Sequence, residues 1–458
     1  MIGFCKGLLH DLWYRAKLPD VKRALYVMRT WRSRMEAAAQ GKRRSASHRA
    51  ADSTGSRNLD LLELHLRFEQ TINIDRPLVP GNKLTLLLNG PATYAAMTAV
   101  IAAARDHIHL ESYIFDGDEI GGKFADALLA RQAAGVQVAV IYDSVGSMFT
   151  ARAFFQRMAA GGIALLEFNP LNPLSGNRSS WTFNHRDHRK LLVVDGQIAF
   201  VGGVNISETY SSAPSGRHQR SKNAASPKNA GWRDTHLKIE GPVVAEFQKL
   251  FLDTWARQEC PPLAQKNFFP TIPAQGNEIV RAIGSAAENP DSPIYLTLLA
   301  ALYRAQQHIH MTIAYFSPDR HLLVALIAAA RRGVDVKLIL PSHSDFWAIF
   351  HLGRSYYARL LRGGVQIYER EGSVMHAKTV CVDGVWSTIG SSNIDLRSFL
   401  HNDEVNAVIV GRDLAAQMET AFDDDLKESH PILRSRWRRR SLLLRIKERI
   451  ARLFAYWL

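Results

Sequence analysis

The sequence predicts an α/β protein of two homologous halves, each a mixed β-sheet flanked by helices. Strand-like and helix-like stretches alternate along most of the chain, and a set of short strings occurs twice in the same order. The chain has 458 residues, of which 47% are hydrophobic and 22% charged. This composition is typical of globular proteins and excludes a wholly disordered or collagen-like chain.

Two short runs illustrate the alternation. Residues 136–142 read VQVAVIY and residues 334–340 read VDVKLIL, both rich in β-branched side chains. Each run follows an Ala-rich stretch with helical character that ends at Gly135 or Gly333. A helix that leads into a strand by way of glycine indicates repeated βα units.

The internal repeat extends over most of the chain. HIHL at 107–110 matches HIHM at 308–311, AGV at 134–136 matches RGV at 332–334, and GGI at 161–163 matches GGV at 363–365. The offset between matched strings stays near 200 residues, as duplication followed by loop insertions would leave it. We therefore expect homologous halves at residues 83–258 and 279–425.

The remaining segments differ in composition from these halves. Residues 45–82 and 259–278 are expected to be linkers. Residues 1–44 carry 11 basic and 3 acidic side chains, and residues 434–458 carry 9 basic and 1 acidic. The net charge of +14 therefore resides in the two ends, while the body is close to neutral. Anionic membrane and nucleic acid are both candidate partners for such ends.

The ends are also amphipathic. Apolar residues recur at helical spacing in both, at Val21, Leu25, Met28, Trp31 and Met35 and at Leu443, Ile446, Ile450, Leu453, Phe454 and Trp457. Arginines flank each stripe, which is the pattern of a helix that lies on anionic lipid. The alternative is that both helices dock on the protein's own surface. A nucleic-acid arm is less expected, because such an arm does not need the apolar stripe.

The sequence predicts neither a spanning helix nor a cleaved signal peptide. The longest stretch without a formal charge, residues 84–104, is interrupted by the turn signal Asn89-Gly90-Pro91. The three cysteines, Cys5, Cys260 and Cys381, are far apart and form no CxxC pair. They argue against a disulfide framework or a zinc ribbon, and favour a reducing, cytosol-facing compartment.

One extended motif occurs in both halves with the pattern His-x-Lys-x4-Asp-x6-Gly-x2-Asn. Its members are His188, Lys190, Asp195, Gly202 and Asn205 in the first half, and His376, Lys378, Asp383, Gly390 and Asn393 in the second. In a strand, residues two apart share a face, so each His and Lys can point into one pocket. A single copy is a weak signal, whereas two matched copies predict a catalytic site.

The residue types indicate phosphoryl chemistry. An ammonium group beside an imidazole disfavours a metal cation and favours phosphate, and the asparagines add neutral donors. One imidazole can attack phosphorus while the other protonates the leaving oxygen. Lysine and asparagine then stabilise the developing charge in place of a metal ion, so we expect no metal and no cofactor.

Each imidazole also needs a carboxylate to fix its tautomer. Asp195 and Asp383 belong to the motif and are counted with the catalytic residues, although at the far end of a strand they could instead brace a turn. Asp234 and Glu404 are matched alternatives, because each lies seven residues before a glycine across a β-rich run. Among the other histidines, His185 is expected to be a solvated loop residue. The pairs at 107/109 and 308/310 are expected to be structural.

The doubled motif resembles that of the phospholipase D superfamily, and its context resembles the bacterial cardiolipin synthases of that type. The strings that carry the resemblance are HRKLLVVDGQIAFVGGVNISETY, WRDTHLKIEGP and HAKTVCVDGVWSTIGSSNIDLRSFLHNDEVN, within residues 83–425. The resemblance implies two phospholipase D-type halves related by a pseudo-twofold axis, with the active site at their interface. Unlike many family members, the sequence has no pair of transmembrane helices at its start.

The resemblance also implies a two-step phosphatidyl transfer between two phosphatidylglycerol molecules. By analogy His188 is the nucleophile and His376 the general acid and then base, although near-symmetry allows the reverse. Lys190, Lys378, Asn205 and Asn393 are expected to bind the phosphate. The expected location is the cytoplasmic face of a bacterial inner membrane. The alternatives are lipid hydrolysis or transfer to other alcohols, a nuclease, and a non-catalytic scaffold.

Overall fold

The computed structural model of the chain describes residues 60–72, 76–170, 184–212, 231–287 and 292–454. The amphipathic stripe predicted within residues 1–44 lies outside these ranges, as do most of the Ser/Gly-rich residues 211–231 and Trp457.

Sixteen strands lie in the described ranges. They are β1 (Val79–Leu88), β2 (His107–Ser112), β3 (Gln137–Asp143), β4 (Ala164–Phe168), β5 (Arg186–Asp187), β6 (Lys190–Val194), β7 (Ile198–Gly202), β8 (Thr235–Glu240), β9 (Glu278–Ser285), β10 (His308–Ile313), β11 (Asp335–Pro341), β12 (Gln366–Arg370), β13 (Lys378–Val382), β14 (Trp386–Gly390), β15 (Asn402–Val410) and β16 (Ser429–Pro431).

The helices in the same ranges are α1 (Leu61–Thr71), α2 (Asn89–Ala103), α3 (Glu119–Ala133), α4 (Arg152–Ala160), α5 (Val244–Arg257), α6 (Pro293–Arg304), α7 (Arg320–Arg331), α8 (Trp347–Gly363), α9 (Leu396–Leu400), α10 (Asp413–Lys427), α11 (Arg434–Arg438) and α12 (Leu442–Leu453). A short 3₁₀ turn, Glu208–Tyr210, follows β7.

The strands form one mixed sheet with internal symmetry. Its order is β16-β12-β11-β10-β13-β14-β15-β9-β1-β8-β7-β6-β2-β3-β4, and β5 pairs separately with β15. Read outward from the β1–β9 junction, both halves have the same order of equivalent strands, with β16 as an addition at one edge. The prediction of two homologous α/β halves is confirmed. The two halves of this sheet are joined through the antiparallel pair of β1 and β9.

Alternating strand residues bury against helices on both faces of the sheet. In β6, Leu191 and Val193 belong to the core under α5 and α10, whereas Leu192 and Val194 belong to the core under α2, α3 and α4. The second half has the equivalent outer core under α6, α7 and α8. Strands buried on both faces read as continuous apolar runs, which explains the LLVV and TVCV strings.

The segment 45–82, predicted to be a linker, contains helix α1, and this expectation was wrong. His65 in α1 contacts Asp383 at 3.0 Å, and Glu69 forms a buried ion pair with Arg281 at 2.5 Å and accepts a hydrogen bond from Trp386 Nε1 at 2.9 Å. The helix is therefore packed on the second half.

The predicted C-terminal helix is divided. Two helices, α11 and α12, are separated at Arg439–Ser441, where Ser441 caps α12 through its side chain. Both pack on α8. Among the described residues, no helix has both the length and the apolar composition that crossing a membrane requires.

Candidate active site

The doubled motif forms two equivalent hairpins. Strands β6 and β7 carry Lys190 through Gly202, and strands β13 and β14 carry Lys378 through Gly390. Each motif histidine lies two residues before its lysine, just outside the strand. The histidines and lysines of both copies are buried.

Each histidine segment is hydrogen-bonded to the opposite half of the molecule. The backbone N–H of His188 donates to the carbonyl of Asp403 at 2.9 Å, and the N–H of His376 donates to the carbonyl of Arg233 at 2.7 Å. Beside the first contact, β5 pairs in parallel with the start of β15. These exchanged contacts place the two histidines at the interface between the halves.

A carboxylate from the opposite half holds each imidazole. Both carboxylate oxygens of Glu404 lie 3.0 Å from His188 Nδ1, and Asp234 Oδ2 lies 2.8 Å from His376 Nδ1. The structure therefore places the matched pair Asp234 and Glu404 at the imidazoles. A carboxylate at Nδ1 favours the proton on that nitrogen and leaves Nε2 for chemistry.

The carboxylates are themselves held in place. The Ser391 hydroxyl donates to Glu404 Oε2 at 2.5 Å, and the backbone N–H of Thr235 donates to Asp234 Oδ1 at 2.7 Å. Gly203 stands where the second half has Ser391, and a Cβ there would lie 2.2 Å from Asp234 Oδ1. The first half therefore has no space for a side chain at this position.

Both histidines line one pocket of about 350 Å³. Its wall is largely aromatic and polar, and consists of Tyr113, Ile114, Arg186, His188, Asn205, Tyr210, Trp232, Tyr315, Asp345, Phe346, Ile349, His376, Asn393, Asp395, Arg397, Ser398 and Asn402. The two motif asparagines are among them. Residues of both halves thus enclose a single cavity with cationic and neutral donors.

The two lysines lie behind the histidines. Lys190 Nζ donates to the carbonyl of His188 at 2.5 Å and lies 5.2 Å from the centre of the Tyr113 ring, and Lys378 Nζ donates to the carbonyl of His376. Burial lowers the pKa of Lys190 to about 7 and that of Lys378 to about 8, and the charge of Lys378 contributes to the shift at Lys190. An anion in the pocket would offset this cost and favour both ammonium forms.

The imidazoles are held in the neutral form. Burial, helped by the two lysines, lowers the pKa of His188 to about 4 despite the opposing effect of Glu404, and it lowers the pKa of His376 in the same way. Burial alone would raise the pKa of Glu404 and of Asp234, but the adjacent imidazoles and lysines bring both below their ordinary values. Neutral imidazoles beside ionised carboxylates are suited to nucleophilic attack at neutral pH.

The motif asparagines have different surroundings. Asn205 Oδ1 accepts from the N–H of Ile114 at 3.2 Å, and its Nδ2 donates to the Tyr210 hydroxyl at 3.2 Å. In the second half, Asn393 Oδ1 is buried without a hydrogen-bond partner among the described residues. Buried polar atoms normally have partners, which makes the Asn393 amide a candidate contact for a bound ligand.

The structure does not place Asp195 and Asp383 in the pocket with the catalytic residues, and instead puts them at the hairpin turns, which is the alternative position expected for them. Each is the first of two left-handed residues in the hairpin turn, with φ of 54° and 56°. The Asp195 carboxylate accepts hydrogen bonds from the N–H groups of residues 105, 106 and 107 at 2.8–3.0 Å, and the Asp383 carboxylate accepts from those of residues 306–308 at 2.7–3.1 Å. Each aspartate lies five positions beyond its lysine, which is about 16 Å along the strand.

The other histidines lie outside the pocket. His185 is buried and contacts Asp403 Oδ1 at 2.7 Å, so the expectation of a solvated loop residue was wrong. Gln248 bridges the histidines at 107 and 109, and Glu419 bridges those at 308 and 310. Because the Gln248 amide makes the same bridge as the Glu419 carboxylate, hydrogen bonding accounts for the arrangement of the histidine pair in each half.

Several pocket residues were missed in the sequence. Tyr113 and Tyr315 follow the repeated HIH string in both halves, and this recurrence could have revealed them. Asp395, two residues after the motif asparagine, lines the pocket, and burial raises its pKa to about 7. No repeated string marks Arg186 or Arg397, because the two arginines occupy positions that do not correspond between the halves.

Comparisons with known proteins agree with this architecture. The family model described as "Cardiolipin synthase, PLD-like domain" matches residues 97–213 and 298–426, one segment in each half. Cardiolipin synthase 1 of Bacillus anthracis is 34% identical over 390 residues, which cover 83% of this chain and 73% of the relative. Cardiolipin synthase of Geobacillus sp. (strain WCH70) is 32% identical over 459 residues, which cover 99% of this chain and 86% of the relative.

A solved structure supports the fold. The crystal structure of phosphatidylserine synthase from Haemophilus influenzae Rd KW20 superposes with a TM-score of 0.66 at 14% identity, covering 86% of this chain and 97% of that one. On the doubled family match and the extended similarity to the curated relatives, the chain belongs to the cardiolipin synthases with phospholipase D-like domains and is a phosphatidyltransferase of that type.

Proposed function

We propose that the enzyme transfers a phosphatidyl group from one phosphatidylglycerol to the glycerol hydroxyl of another, giving cardiolipin and free glycerol. The observation that carries the proposal is the pair of imidazoles from opposite halves in one pocket, each with a carboxylate at Nδ1. In this proposal six side chains act on the substrate, namely His188, Lys190, His376, Lys378, Asn205 and Asn393. Asp234 and Glu404 position the imidazoles.

In the first step His188 Nε2 attacks the phosphorus of a phosphodiester. The new N–P bond forms as the P–O bond to glycerol breaks, and His376 donates a proton to the departing glycerol oxygen. His376 must be protonated at this point, although burial lowers its pKa. The incoming phosphodiester anion offsets the nearby lysine charges and so favours the imidazolium form.

In the second step the same groups act in reverse. The neutral His376 accepts the proton of a glycerol hydroxyl on a second phosphatidylglycerol, and the resulting oxygen attacks phosphorus. The N–P bond to His188 breaks, which restores the free imidazole and releases cardiolipin. Glu404 stabilises the positive charge that His188 carries while it is bonded to phosphorus.

The donors around the pocket are suited to a phosphodiester anion. Lys190 and Lys378 supply positive charge from behind the histidines, and Asn205 and Asn393 supply amide groups on the wall. The unpartnered Oδ1 of Asn393 is suited to accept a hydrogen bond from a substrate hydroxyl. Together these groups provide the charge stabilisation that phosphoryl transfer needs.

The membrane attachment that we propose rests on helix α12. The helix turns Glu448 and Ala451 toward the body, where Glu448 pairs with Arg440 at 2.6 Å. Its large apolar side chains face outward, namely Leu442, Leu443, Ile446, Ile450, Leu453 and Phe454, which are 43–79% exposed. Docking on the body therefore leaves uncovered the part of the predicted stripe that the structure describes. An outward apolar stripe with arginines beside it fits a lipid surface.

Helix α8, which contributes Ile349 to the wall of the catalytic pocket, also packs on α12. Phe346 lines the pocket, Trp347 begins α8, and both are about half exposed. Just over two turns further along α8, Ser355 accepts a hydrogen bond from Arg452 of α12 at 2.9 Å. We place the enzyme peripherally on the cytoplasmic face of the membrane, with the pocket mouth toward the lipid. Nucleic acid is not an expected partner.

The experiment is a lipid analysis of the purified enzyme on phosphatidylglycerol vesicles in the presence of EDTA. We expect cardiolipin and glycerol in equal amounts, and neither product from the His188→Ala variant with unchanged melting behaviour. Phosphatidic acid as the main product would move the assignment to a hydrolase. If no lipid product forms while an oligonucleotide is cleaved, the enzyme is a nuclease and the proposal is wrong.

A further inference from the structure

A second groove, distinct from the catalytic pocket, lies on the outer helices of the second half. It has a volume of about 630 Å³ and is lined by Val324, Ile327, Ala328, Arg331, Arg359, Arg362, Gly363 and Arg434. These residues belong to α7, α8 and the start of α11, and none of them lines the catalytic pocket. From Ile349 at the pocket to Arg362 at the groove, α8 rises by about 20 Å.

The rim of this groove is formed by arginines that have no carboxylate partner among the described residues. Its four arginines are exposed, and none forms an ion pair with a carboxylate among the residues that the structure describes. Arg362 donates Nε to the carbonyl of Ala358 in its own helix, at 3.1 Å. Moreover, α7, α8 and α11 contain no aspartate or glutamate at all. Four guanidinium groups therefore face the groove with their positive charge available.

The first half provides an internal comparison. Its equivalent helices, α3 and α4, carry four basic side chains, and two of them have a carboxylate partner nearby. Lys123 pairs with Glu119 at 2.6 Å, and Arg157 pairs with Asp126. The two halves share their architecture, so the absence of acidic partners in the second half is a difference in surface chemistry and not a consequence of the fold.

The floor of the groove is apolar. Val324 is 40% exposed there, and Ile327 and Ala328 continue the floor. Gly363 lets the helices approach closely, because a Cβ at this position would lie 2.6 Å from Ile327 Cγ1. Beside Arg434 at the rim, Leu433 is 47% exposed. A ligand that fits both surfaces carries a negative charge on an apolar body.

We propose that this groove binds the phosphate-bearing headgroup of an anionic phospholipid, with the glycerol backbone and first acyl carbons over Val324 and Ile327. Free phosphate would leave the apolar floor uncovered. Single-stranded nucleic acid is less suited, because no aromatic side chain lines the groove for base stacking. The site goes beyond the catalytic function: it holds a lipid that does not react, and retains the enzyme on anionic membrane.

The test uses the full chain with His188→Ala, so that the vesicle composition cannot change by turnover. Its groove variant is Arg359→Gln/Arg362→Gln. The matched control is Arg152→Gln/Arg157→Gln, which removes two charges from the equivalent helix α4. Binding is measured to phosphatidylcholine vesicles with 0–40 mol% phosphatidylglycerol, and separately to inorganic phosphate and to a single-stranded oligonucleotide.

We expect the groove variant to bind the anionic vesicles about 30-fold more weakly, since each basic residue near an anionic surface contributes about 1 kcal/mol. The control should lose less than threefold, and neither variant should change the weak binding to pure phosphatidylcholine. Equal losses of vesicle affinity in the two variants would show that only the net charge of the protein matters, and would overturn the proposed site. A loss confined to inorganic phosphate, or to the oligonucleotide, would overturn the lipid assignment. Arg331→Gln, at a separate helix, provides a second groove variant with the same expected direction.

Discussion

Replacing Glu404 by glutamine tests the cross-half pairing of carboxylate and imidazole. In the native site both oxygens of Glu404 lie 3.0 Å from His188 Nδ1, and Ser391 donates to one of them. The glutamine oxygen would take the position at the Ser391 hydroxyl, which turns the amide NH₂ group toward His188. That donor forces the imidazole proton onto Nε2, the nitrogen that must attack phosphorus.

The expected loss has two parts. A hydrogen bond to a charged group contributes about 1.5–3 kcal/mol, which corresponds to a factor of about 10–150 in rate. The wrong tautomer adds to this, and in serine proteases the comparable aspartate-to-asparagine change lowers kcat about 10⁴-fold. We therefore expect Glu404→Gln to lower kcat for cardiolipin formation by about 10³–10⁴-fold.

The assay measures cardiolipin formation on phosphatidylglycerol vesicles together with thermal unfolding. The control is Asp195→Asn, a motif aspartate that accepts three backbone hydrogen bonds at the hairpin turn. We expect this control to lose about 1–3 kcal/mol of stability and to keep its kcat per folded molecule within twofold. A folded Glu404→Gln enzyme with more than a tenth of the native kcat would refute the reasoning. A loss of kcat in Asp195→Asn as large as in Glu404→Gln would refute it too.

Two further predictions concern pH and the membrane. The pKa of Lys190 is about 7 and that of Lys378 about 8, so both lose their charge as the pH rises. Between pH 7 and 9, kcat/KM should therefore fall at least about tenfold, which is the loss that Lys378 alone would cause. A flat profile would contradict the role of the two lysines in phosphate binding. Ile446→Ser/Ile450→Ser removes two apolar side chains of α12 that are 43% and 44% exposed. Vesicle sedimentation should show that this variant binds the membrane about 10-fold more weakly. The control Phe269→Ser, which removes a side chain that is 48% exposed elsewhere, should leave membrane binding unchanged.

The sequence predicted the parts of the fold that repeat. The two hairpins could be found because His, Lys, Asp and Asn keep their spacing in both halves, and apolar runs identify strands buried on both faces. Asp234 and Glu404 could be paired through their equal distance from a glycine. Which histidine each carboxylate contacts could not be predicted, because it depends on hydrogen bonds between the halves, such as that from the His188 N–H to the Asp403 carbonyl.

Other features depend on tertiary contacts that have no local signal. Helix α1 looked like a linker because its contacts to Asp383, Arg281 and Trp386 lie more than 200 residues away in sequence. The motif aspartates looked catalytic because the pattern includes them. Their conformation, with positive φ followed by a glycine with positive φ, is instead that of a tight hairpin turn.

Trapping the covalent intermediate tests the central claim most directly. The His376→Ala variant lacks both the acid of the first step and the base of the second, so it is given a phosphatidyl ester of p-nitrophenol, whose leaving group needs no proton. Brief exposure and digestion should yield a phosphatidyl adduct on the peptide that contains His188. The double variant His188→Ala/His376→Ala should yield none. An adduct on another residue of His376→Ala, or cardiolipin formation by His188→Ala without any adduct, would contradict the mechanism.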